Sequence, residues 1–565
     1  MMLSSVGSFA LVLHAHQPFV LGHGRWPHGS DWLCEAVVES YLPILRILRA
    51  PASVREVLPL TLSFSPVLCE QLASPLFQPE LQTFLDHRLR ACAETDAHFR
   101  QHNQTELAAV ANYWAGVYRA AVSLLQEIDG NVLGAFRQLM EEQRVSLITS
   151  AATHGYLPLL GKEESVALQM RLAVQTHERH FGRRPRGAWL PECGYRPRYQ
   201  WIPPVGGDRQ SLRAVRRGLE EVLADNGLEF FFADSHLIVG GRPSPPYSEY
   251  FPQLDRLREV GRDEWPRRPH ISPHSVCTVT SPGGEGTARA FFRNLETARQ
   301  VWSRERGYPG DPWYLDFYKK HEPQGLQLWR VSDKGAFDAK SVYAPTRAQE
   351  QAREHAHHFA GLVAELLRQH STPLAPALVC SLFDAELFGH WWHEGPHWLS
   401  FLQEELMTHG VQSTTCPTYL DRQPPGEPVT LPEGSWGEGG DHRTWLNNET
   451  GWAWERLYDS ETEFWEFLHG CSATAQAPLR RVLTQACREL LLMQASDWPF
   501  LMTAGTARDY ADQRFSSHFA DFKQLMLIAR NVREHNQWGQ EEWMFLASKE
   551  QQNFLFPALE QILFT

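Results

Sequence analysis

The sequence predicts an α/β fold, with a parallel sheet or barrel followed by a helical domain. Short apolar runs with strand character, such as FALVLHAHQP and VLPLTLSFSPVL, alternate with amphipathic helical segments. Each run ends in polar residues, which is typical of parallel strands whose carboxyl ends carry function. The segments after residue 450 show helical periodicity alone, which indicates an all-α C-terminal domain.

Length and composition set the broad class of the protein. The chain has 565 residues, and at roughly 100 to 200 residues per domain this predicts two to four structural units. Hydrophobic residues make up 43% and charged residues 21%, which excludes a disordered chain or a disulfide scaffold. With 53 basic and 66 acidic residues the net charge is −13, so we expect neither nucleic acid nor an anionic membrane as a partner.

The cysteines and the N-terminus predict the compartment. The nine cysteines are scattered and contain no CxxC pair, which indicates reduced thiols without a zinc or redox motif. The apolar stretch from Phe9 to Leu13 is far shorter than the roughly 18 to 20 residues of a membrane span. We therefore expect a cytoplasmic protein with no membrane attachment.

Two carboxylates at predicted strand ends are the first candidates for chemistry. Glu192 follows Pro191 in GAWLPECGY, and Asp384 lies among phenylalanine and tryptophan side chains in LVCSLFDAELFGHWW. A lone strand-end Glu often caps the next element, but an apolar setting favours the neutral carboxyl that a general acid needs. A pair of such carboxylates is the arrangement that cleaves glycosidic bonds.

Histidines and a further aspartate lie at other predicted strand and helix ends. His14 and His16 share one face of a strand, because side chains alternate with period two. Such a pair can bind zinc, hold sugar hydroxyls or form an ordinary buried hydrogen-bonded pair. His154 in ATHGYLP and Asp497 in ASDWPFL occupy comparable positions, and each could be structural.

Five separated segments together resemble the signature regions of glycoside hydrolase family 57. They are HAHQP (14–18), THGYLPLL (153–160), GAWLPECGY (187–195), FDAELFGHWW (383–392) and QASDWPFLM (494–502). A single HxH is a weak signal, but five ordered motifs spread over the chain are specific. The further matches WPHG, QVWS, GYPGDP and SWGEGG resemble the 1,4-α-glucan branching enzymes of that family.

The resemblance implies the fold and its division. It implies a distorted TIM-like (β/α)7 barrel with a small helical insertion domain and an all-α C-terminal domain. The barrel is expected to comprise residues 1–72 and 141–420, the insertion residues 73–140, and the C-terminal domain residues 421–565. The monomer is the expected state, and no cofactor or metal is implied.

The resemblance also implies a retaining double displacement on an α-1,4-glucan such as amylose. Glu192 is the expected nucleophile and Asp384 the acid/base, with carboxyl groups about 5 to 5.5 Å apart. The acceptor would be the 6-hydroxyl of another glucan chain, so water must be excluded. A flexible-loop tyrosine that favours transfer over hydrolysis is assigned to Tyr247, with Tyr250 as the other choice.

The resemblance assigns sugar contacts by local motif, and we expect tryptophans among them to stack on pyranose faces. Trp436, in a Gly-rich loop, is the strongest stacking candidate, and Trp498 is a further site candidate. Trp114, Trp189, Trp465 and Trp543 are expected to pack in cores. The expected substrate-binding residues are His14, His16, Trp26, His154, Trp302, Trp436, Trp445 and Asp497.

Three other functions stay open at this stage. A 4-α-glucanotransferase or α-amylase of the same family would share the fold and differ in product. A metal-dependent barrel hydrolase would use the histidines as zinc ligands, although no Asp adjoins the HxH pair in the sequence. A catalytically inert glucan-binding protein would not need Glu192 or Asp384.

Overall fold

A central sheet organises the first 430 residues. The computed structural model describes residues 6–51, 57–206, 214–240, 251–258, 271–303, 306–331, 340–372, 375–423, 426, 428–471, 476–535 and 538–564. The strands in these residues are β1 (Ser8–Ala15), β2 (Leu60–Phe64), β3 (Val145–Ser150), β4 (Gly187–Trp189), β5 (Tyr199–Trp201), β6 (Ala214–Arg216), β7 (Phe230–Asp234), β8 (Cys277–Val279), β9 (Ala288–Arg293), β10 (Lys320–His321), β11 (Leu326–Gln327), β12 (Leu378–Asp384), β13 (Gln412–Ser413) and β14 (Pro428–Val429).

Seven parallel strands form the barrel wall, in the order β12, β1, β2, β3, β4, β7 and β9. Strand β8 continues the sheet antiparallel to β9, β14 lies parallel to β8, and β13 pairs with β1. The central strands are continuous buried runs, as parallel strands covered on both faces should be. Pairs β5–β6 and β10–β11 are separate hairpins.

The two ends of the parallel run meet and close the wall. The N–H of Asn294, just after β9, donates to the carbonyl of Cys380 in β12 at 2.9 Å. The Ser381 hydroxyl donates to Thr297 Oγ1, also at 2.9 Å. In the part of the chain that the structure describes, no ladder joins β9 to β12. The predicted α/β class and distorted seven-stranded barrel are thus confirmed.

The helices cover the barrel and form the C-terminal part. In the order of the chain they are α1 (Ser30–Ala36), α2 (Leu42–Leu48), α3 (Pro66–Leu72), α4 (Phe77–Gln101), α5 (Thr105–Glu127), α6 (Val132–Glu141), α7 (Glu163–Phe181), α8 (Leu219–Asp225), α9 (His236–Val239), α10 (Asp255–Arg258), α11 (Leu295–Trp302), α12 (Pro345–His370), α13 (Gly395–Thr408), α14 (Cys416–Arg422), α15 (Gly451–His469), α16 (Ala477–Met493), α17 (Asp497–Ala504), α18 (Arg508–His535), α19 (Gln540–Gln552) and α20 (Leu559–Phe564). A π-helical turn, Val37–Tyr41, lies between α1 and α2.

The start of α17 is fixed against the end of β3, and this contact positions the site. The N–H of Ser496 donates to the carbonyl of His154 at 2.9 Å, and the N–H of Tyr156 donates to the carbonyl of Gln494 at 3.2 Å. The Thr153 hydroxyl donates to the carbonyl of Leu491 in α16. Residues about 340 positions apart in sequence are therefore neighbours.

The burial of four tryptophans tests the expectation that they pack in cores. Trp114, Trp189 and Trp465 are buried as predicted, but Trp543 is 50% exposed because α19 lies at the surface, so that prediction is wrong. Within the Pro- and Gly-rich stretch that follows residue 240, Cys277–Val279 forms a buried strand. Across the described residues, no helix is both long and apolar enough to cross a membrane.

Candidate active site

The register of the parallel strands gathers the predicted residues at one end of the barrel. His14 lies beside Asp384 of β12 on one side and Ser63 of β2 on the other. Glu192 follows β4, and Ser150 of β3 aligns with Trp189 of that strand. Because all these strands run in parallel, their carboxyl ends form a single rim.

Glu192 sits in a strained turn. Its φ is 60° and its ψ 24°, and Cys193 after it has φ 49°, both left-handed conformations that non-glycine residues rarely adopt. Such conformations cost about 1 to 3 kcal/mol and persist only where the surroundings enforce them. Here the backbone N–H of Trp436 donates to the backbone carbonyl of Glu192 at 3.1 Å, and Tyr195 exchanges two backbone hydrogen bonds with Gly434.

The carboxylate of Glu192 is buried and accepts one hydrogen bond on each oxygen. The indole N–H of Trp436 donates to Oε2 at 2.8 Å, and the Ser496 hydroxyl donates to Oε1 at 3.0 Å. Burial raises the pKa of Glu192 to about 7, the charges of Asp384 and Asp497 raise it too, and the two hydrogen bonds oppose this. Glu192 and Asp384 therefore act on each other electrostatically, and ionised Glu192 depends on its two donors.

The loop that carries Trp436 is held by a buried ion pair. Arg293 Nε donates to Asp234 Oδ2 at 2.7 Å, and Asp234 Oδ1 lies 2.9 Å from His236 Nδ1. His236 Nε2 lies 3.1 Å from the carbonyl of Gly440, so it donates to that loop. Burial opposes the charge of Asp234, but Arg293 and His236 lower its pKa.

We predict that Trp436→Phe weakens the ionisation of Glu192. A hydrogen bond to a charged group contributes about 1.5 to 3 kcal/mol, so its loss should move the acidic limb of the pH–rate profile upward by about one to two pH units. Trp398→Phe is the matched control, because Trp398 is equally buried and its indole N–H has no partner in the described structure. An acidic limb that stays in place in Trp436→Phe would contradict the prediction.

Two buried histidines form a chain that ends at Glu192. His14 Nε2 lies 3.0 Å from His154 Nε2, and His154 Nδ1 lies 2.8 Å from the Ser496 hydroxyl, which donates to Glu192. Burial lowers the pKa of both histidines well below its usual value, and neighbouring histidines lower it further, so both are neutral. All three contacts are satisfied when His14 Nε2 donates to His154 Nε2, His154 Nδ1 donates to the Ser496 oxygen, and the Ser496 hydroxyl donates to Glu192.

His16 differs from its two neighbours because it faces a carboxylate. Its Nε2 lies 3.1 Å from each carboxylate oxygen of Asp497, and its Nδ1 lies 2.8 Å from the Ser65 hydroxyl. Burial alone would lower its pKa, but the charge and hydrogen bond of Asp497 raise it, with Glu386 and Glu192 adding to this. His16 also stacks on His154 with ring centroids 3.9 Å apart. Imidazole nitrogens and carboxylate oxygens thus line one surface suited to hydroxyl groups.

The tryptophans are arranged differently from the expectation. Trp436 is 1% exposed and Trp445 is 0% exposed, and Trp445 stacks on Tyr156 with centroids 4.4 Å apart. Neither ring offers an open face in this structure, and their assignment as substrate-binding residues stays a prediction. Trp302 is also mostly covered, at 8%, at the end of α11. The Trp498 indole N–H donates to the carbonyl of Leu492 inside the helical part, so that residue is core.

Among the tryptophans predicted to contact sugar, only Trp26 has an exposed ring. It is 82% exposed in the loop between β1 and α1, and it lines a cleft of about 490 Å³ shared with Tyr510 and Arg514 of α18. This loop is tied to the helical part, because His23 Nε2 lies 2.8 Å from Asn553 Oδ1. Trp26 therefore lies at the junction of barrel and helices, where an extended ligand could contact it.

Several residues of the site were missed from the sequence. Ser496 joins Glu192 to His154, and Ser63 and Ser65 hold His14 and His16. Their signal was available: the serines repeat the alternation of the histidines, and Ser496 precedes Asp497. The predicted Tyr247 and its alternative Tyr250 lie outside the described residues.

The fold supplies the aspartate that the metal interpretation lacked. Ligand atoms of His16, His154 and Asp497 all lie within 4.8 Å of one another. Each of these atoms is already hydrogen-bonded within the protein: His16 to Asp497, and His154 to His14. A metal would have to replace those contacts, whereas hydroxyl groups could join them.

Comparison with known proteins identifies the family. The sequence profile of glycosyl hydrolase family 57 matches residues 10–432, and that of the 1,4-alpha-glucan branching enzyme C-terminal region matches residues 456–564. A 1,4-alpha-glucan branching enzyme of Thermococcus kodakarensis is 37% identical over 523 residues, which is 92% of this chain and 73% of that protein.

Two solved structures extend the likeness to the whole chain. A GH57-type branching enzyme from Pyrococcus horikoshii has a TM-score of 0.87 at 37% identity, covering 99% of this chain and 97% of that one. The α-amylase AmyC of Thermotoga maritima has a TM-score of 0.78 at 26% identity, covering 99% of both chains. On this evidence, the chain belongs to glycosyl hydrolase family 57.

Proposed function

We propose that the protein is a 1,4-α-glucan branching enzyme that works by a retaining double displacement. It cleaves an α-1,4 bond and transfers the released chain to a 6-hydroxyl, making an α-1,6 branch. The observation that carries the mechanism is the buried Glu192 carboxylate, held by two donors and acted on by the charge of Asp384. The profile match to the branching-enzyme C-terminal region supports the transfer reaction.

In the first step we assign Glu192 as nucleophile and Asp384 as acid. A carboxylate oxygen of Glu192 bonds to the anomeric carbon as Asp384 gives its proton to the departing glycosidic oxygen. In the second step Asp384 takes the proton of the acceptor 6-hydroxyl, whose oxygen displaces Glu192. Both carboxyl groups end in their starting states.

The remaining polar residues are proposed to hold the sugar beside Glu192. His14, His154 and the His16–Asp497 pair present nitrogen and oxygen atoms to the same rim as Glu192. We retain Trp302, Trp436 and Trp445 as substrate-site residues that act through packing, Trp436 by its hydrogen bond to Glu192. Trp26 is the proposed open stacking surface.

The experiment is incubation with amylose followed by debranching and measurement of α-1,6 linkages. New branches with little free reducing sugar are expected. Reducing sugar without branches would instead support the amylase alternative, which the likeness to AmyC at a TM-score of 0.78 keeps open. Release of linear chains of new length, without branches, would indicate a 4-α-glucanotransferase.

We predict that Tyr247→Phe raises the share of hydrolysis without abolishing cleavage. In the proposed function the loop tyrosine helps to keep water from the glucosyl–enzyme ester, so its loss should raise the ratio of reducing ends to branches several-fold. Tyr250→Phe is the paired variant. A rise in Tyr250→Phe alone would move the assignment to that residue.

The metal content of the protein distinguishes the proposed branching enzyme from a metal-dependent hydrolase. We expect activity to survive dialysis against a chelator, because the proposed mechanism uses carboxyl groups alone. Stoichiometric zinc, with activity lost on its removal, would replace the proposal by a metal-dependent hydrolase using His16, His154 and Asp497.

We also propose the division of the chain and its setting. The barrel comprises residues 1–72 and 141–420, the helical insertion residues 73–140, and the C-terminal domain residues 421–565. Profile matches that end at residue 432 and begin at residue 456 support a boundary in this region. A cytoplasmic monomer is proposed, and nine cysteines free of disulfides agree with a reducing compartment.

A further inference from the structure

Glu386, two residues after Asp384, is a third carboxyl group at the site. Its side chain is buried. Its Oε1 accepts hydrogen bonds from the backbone N–H of His16, at 3.0 Å, and from the hydroxyl of Tyr41. These donors come from the end of β1 and from the π-helical turn Val37–Tyr41. Glu386 therefore joins three separate elements next to the proposed acid/base.

The segment around Glu386 is fixed by close backbone packing. The Ser40 hydroxyl donates to the Glu386 carbonyl at 3.3 Å, and the His390 N–H donates to Ser40 Oγ at 3.1 Å. Gly389 has φ +117°, and a Cβ there would lie 1.7 Å from the Glu39 carbonyl oxygen. A side chain at this position is excluded, so the turn after Asp384 has little freedom.

The charges facing Glu386 couple it to Asp384. Burial raises the pKa of Glu386 to about 7, and the Asp384 charge raises it further, while Tyr41 and the His16 N–H lower it. The other titratable groups that face Glu386 are Tyr41 and His16. The pKa of Tyr41 is raised by burial and by the charges of Glu386 and Asp384. Interaction between two charges is reciprocal, so an ionised Glu386 opposes loss of the Asp384 proton by the same energy.

We propose that Glu386 is a positioning residue for glucan transfer, whose charge and hydrogen bonds keep the proton on Asp384 until the glycosidic oxygen takes it. In that step the carbon–oxygen bond breaks, its electron pair stays on the leaving oxygen, and the Asp384 proton moves there. Glu386 exchanges no atom. The inference rests on the proposed role of Asp384.

The test is the pH dependence of kcat/KM on amylose for Glu386→Gln. Gln keeps the size and the acceptor oxygen but removes the charge, so the basic limb should move to lower pH by about one unit. The acidic limb, which Glu192 is proposed to set, should stay within a few tenths of a unit. Thermal unfolding of the same preparation checks that the variant is folded.

Glu394→Gln is the matched control. Glu394 is also buried, accepts a tyrosine hydroxyl and a backbone N–H, from Tyr343 at 2.6 Å and Leu315 at 3.0 Å, and has a pKa raised by burial to about 7. The main causes of this shift do not include the charge of Asp384. Both limbs of its profile should match those of the unmodified enzyme.

Tyr41→Phe tests the direction of the effect. Losing this donor disfavours the ionised form of Glu386, so the basic limb should move the same way as in Glu386→Gln, but less. A basic limb that Glu386→Gln leaves unmoved, whatever the change in kcat, would overturn the proposal and leave Glu386 a structural role.

An inactive Glu386→Gln would still decide the matter. Fluoride leaves from α-maltosyl fluoride without a general acid. This substrate should therefore still form the ester with Glu192 if only the proton on Asp384 is affected. Loss of reaction with both donors at every pH would overturn the proposal. Failure of the proposed function has a separate sign, which is branching retained by Glu192→Gln or Asp384→Asn.

Discussion

Glu192→Gln should lower the branching rate on amylose by about four orders of magnitude while glucan binding is retained. Removal of a covalent nucleophile typically costs roughly 10⁴-fold or more in turnover. The amide cannot form the glucosyl ester, but it keeps the volume of Glu192 and leaves the surface of His14, His154 and Asp497 in place. Branch formation is measured after debranching, and binding by affinity electrophoresis in gels containing amylopectin.

Glu394→Gln serves as the control here as well, because it removes a buried carboxyl group outside the site. It should branch at the normal rate. Branching by Glu192→Gln within tenfold of the unmodified enzyme would remove Glu192 from the mechanism and favour the inert glucan-binding interpretation or a different nucleophile.

The same variant has a second, independent signature in stability. The folded pKa of Glu192, about 7, lies above its ordinary value of 4.5, so the carboxyl group contributes least to stability above pH 7. The loss develops as the pH rises from about 4.5 through 7 and amounts to about 3 kcal/mol as an order of magnitude. Glu192→Gln lacks this loss, so its Tm relative to the unmodified enzyme should rise across that interval. A Tm difference between the two proteins that does not change with pH would contradict the raised pKa of Glu192.

The strand-end residues were predictable because parallel strands impose a common rim. His14 and Asp384 were found as separate motifs, and the register of β1 and β12 makes them neighbours. The link through Ser496 could not be predicted, because it depends on how α17 docks against the end of β3. Local patterns report which residues end an element, and they do not report how distant elements pack.

Trp436 shows how a local pattern can mislead. Its Gly-rich loop, considered from the sequence alone, favours an open stacking surface over a core position. The glycines instead permit close packing: a Cβ on Gly437 would lie 2.5 Å from Cζ3 of Trp445. The loop is therefore a tightly packed support that aims one N–H at Glu192. A glycine-rich segment indicates close approach as readily as exposure.

Asp384→Asn should lower branching on amylose by roughly 10³- to 10⁴-fold, and its defect should depend on the leaving group. Amylose needs a proton on its departing oxygen, whereas α-maltosyl fluoride does not, so the fluoride should still esterify Glu192. The second step then lacks its base, and the ester should accumulate and be visible by mass spectrometry of the intact protein. Azide needs no base and should release the ester as the α-azide.

The pH dependence of that labelling separates this role from a structural one. As the acid, Asp384 keeps its proton and carries no charge while Glu192 is ionised, so its replacement by Asn should leave the titration of Glu192 nearly in place. Labelling by the fluoride should therefore keep the acidic limit of the unmodified enzyme in Asp384→Asn. A merely misfolded site would lose labelling at every pH. Equal losses with amylose and with the fluoride would exclude Asp384 as the acid, because only the first donor requires that proton.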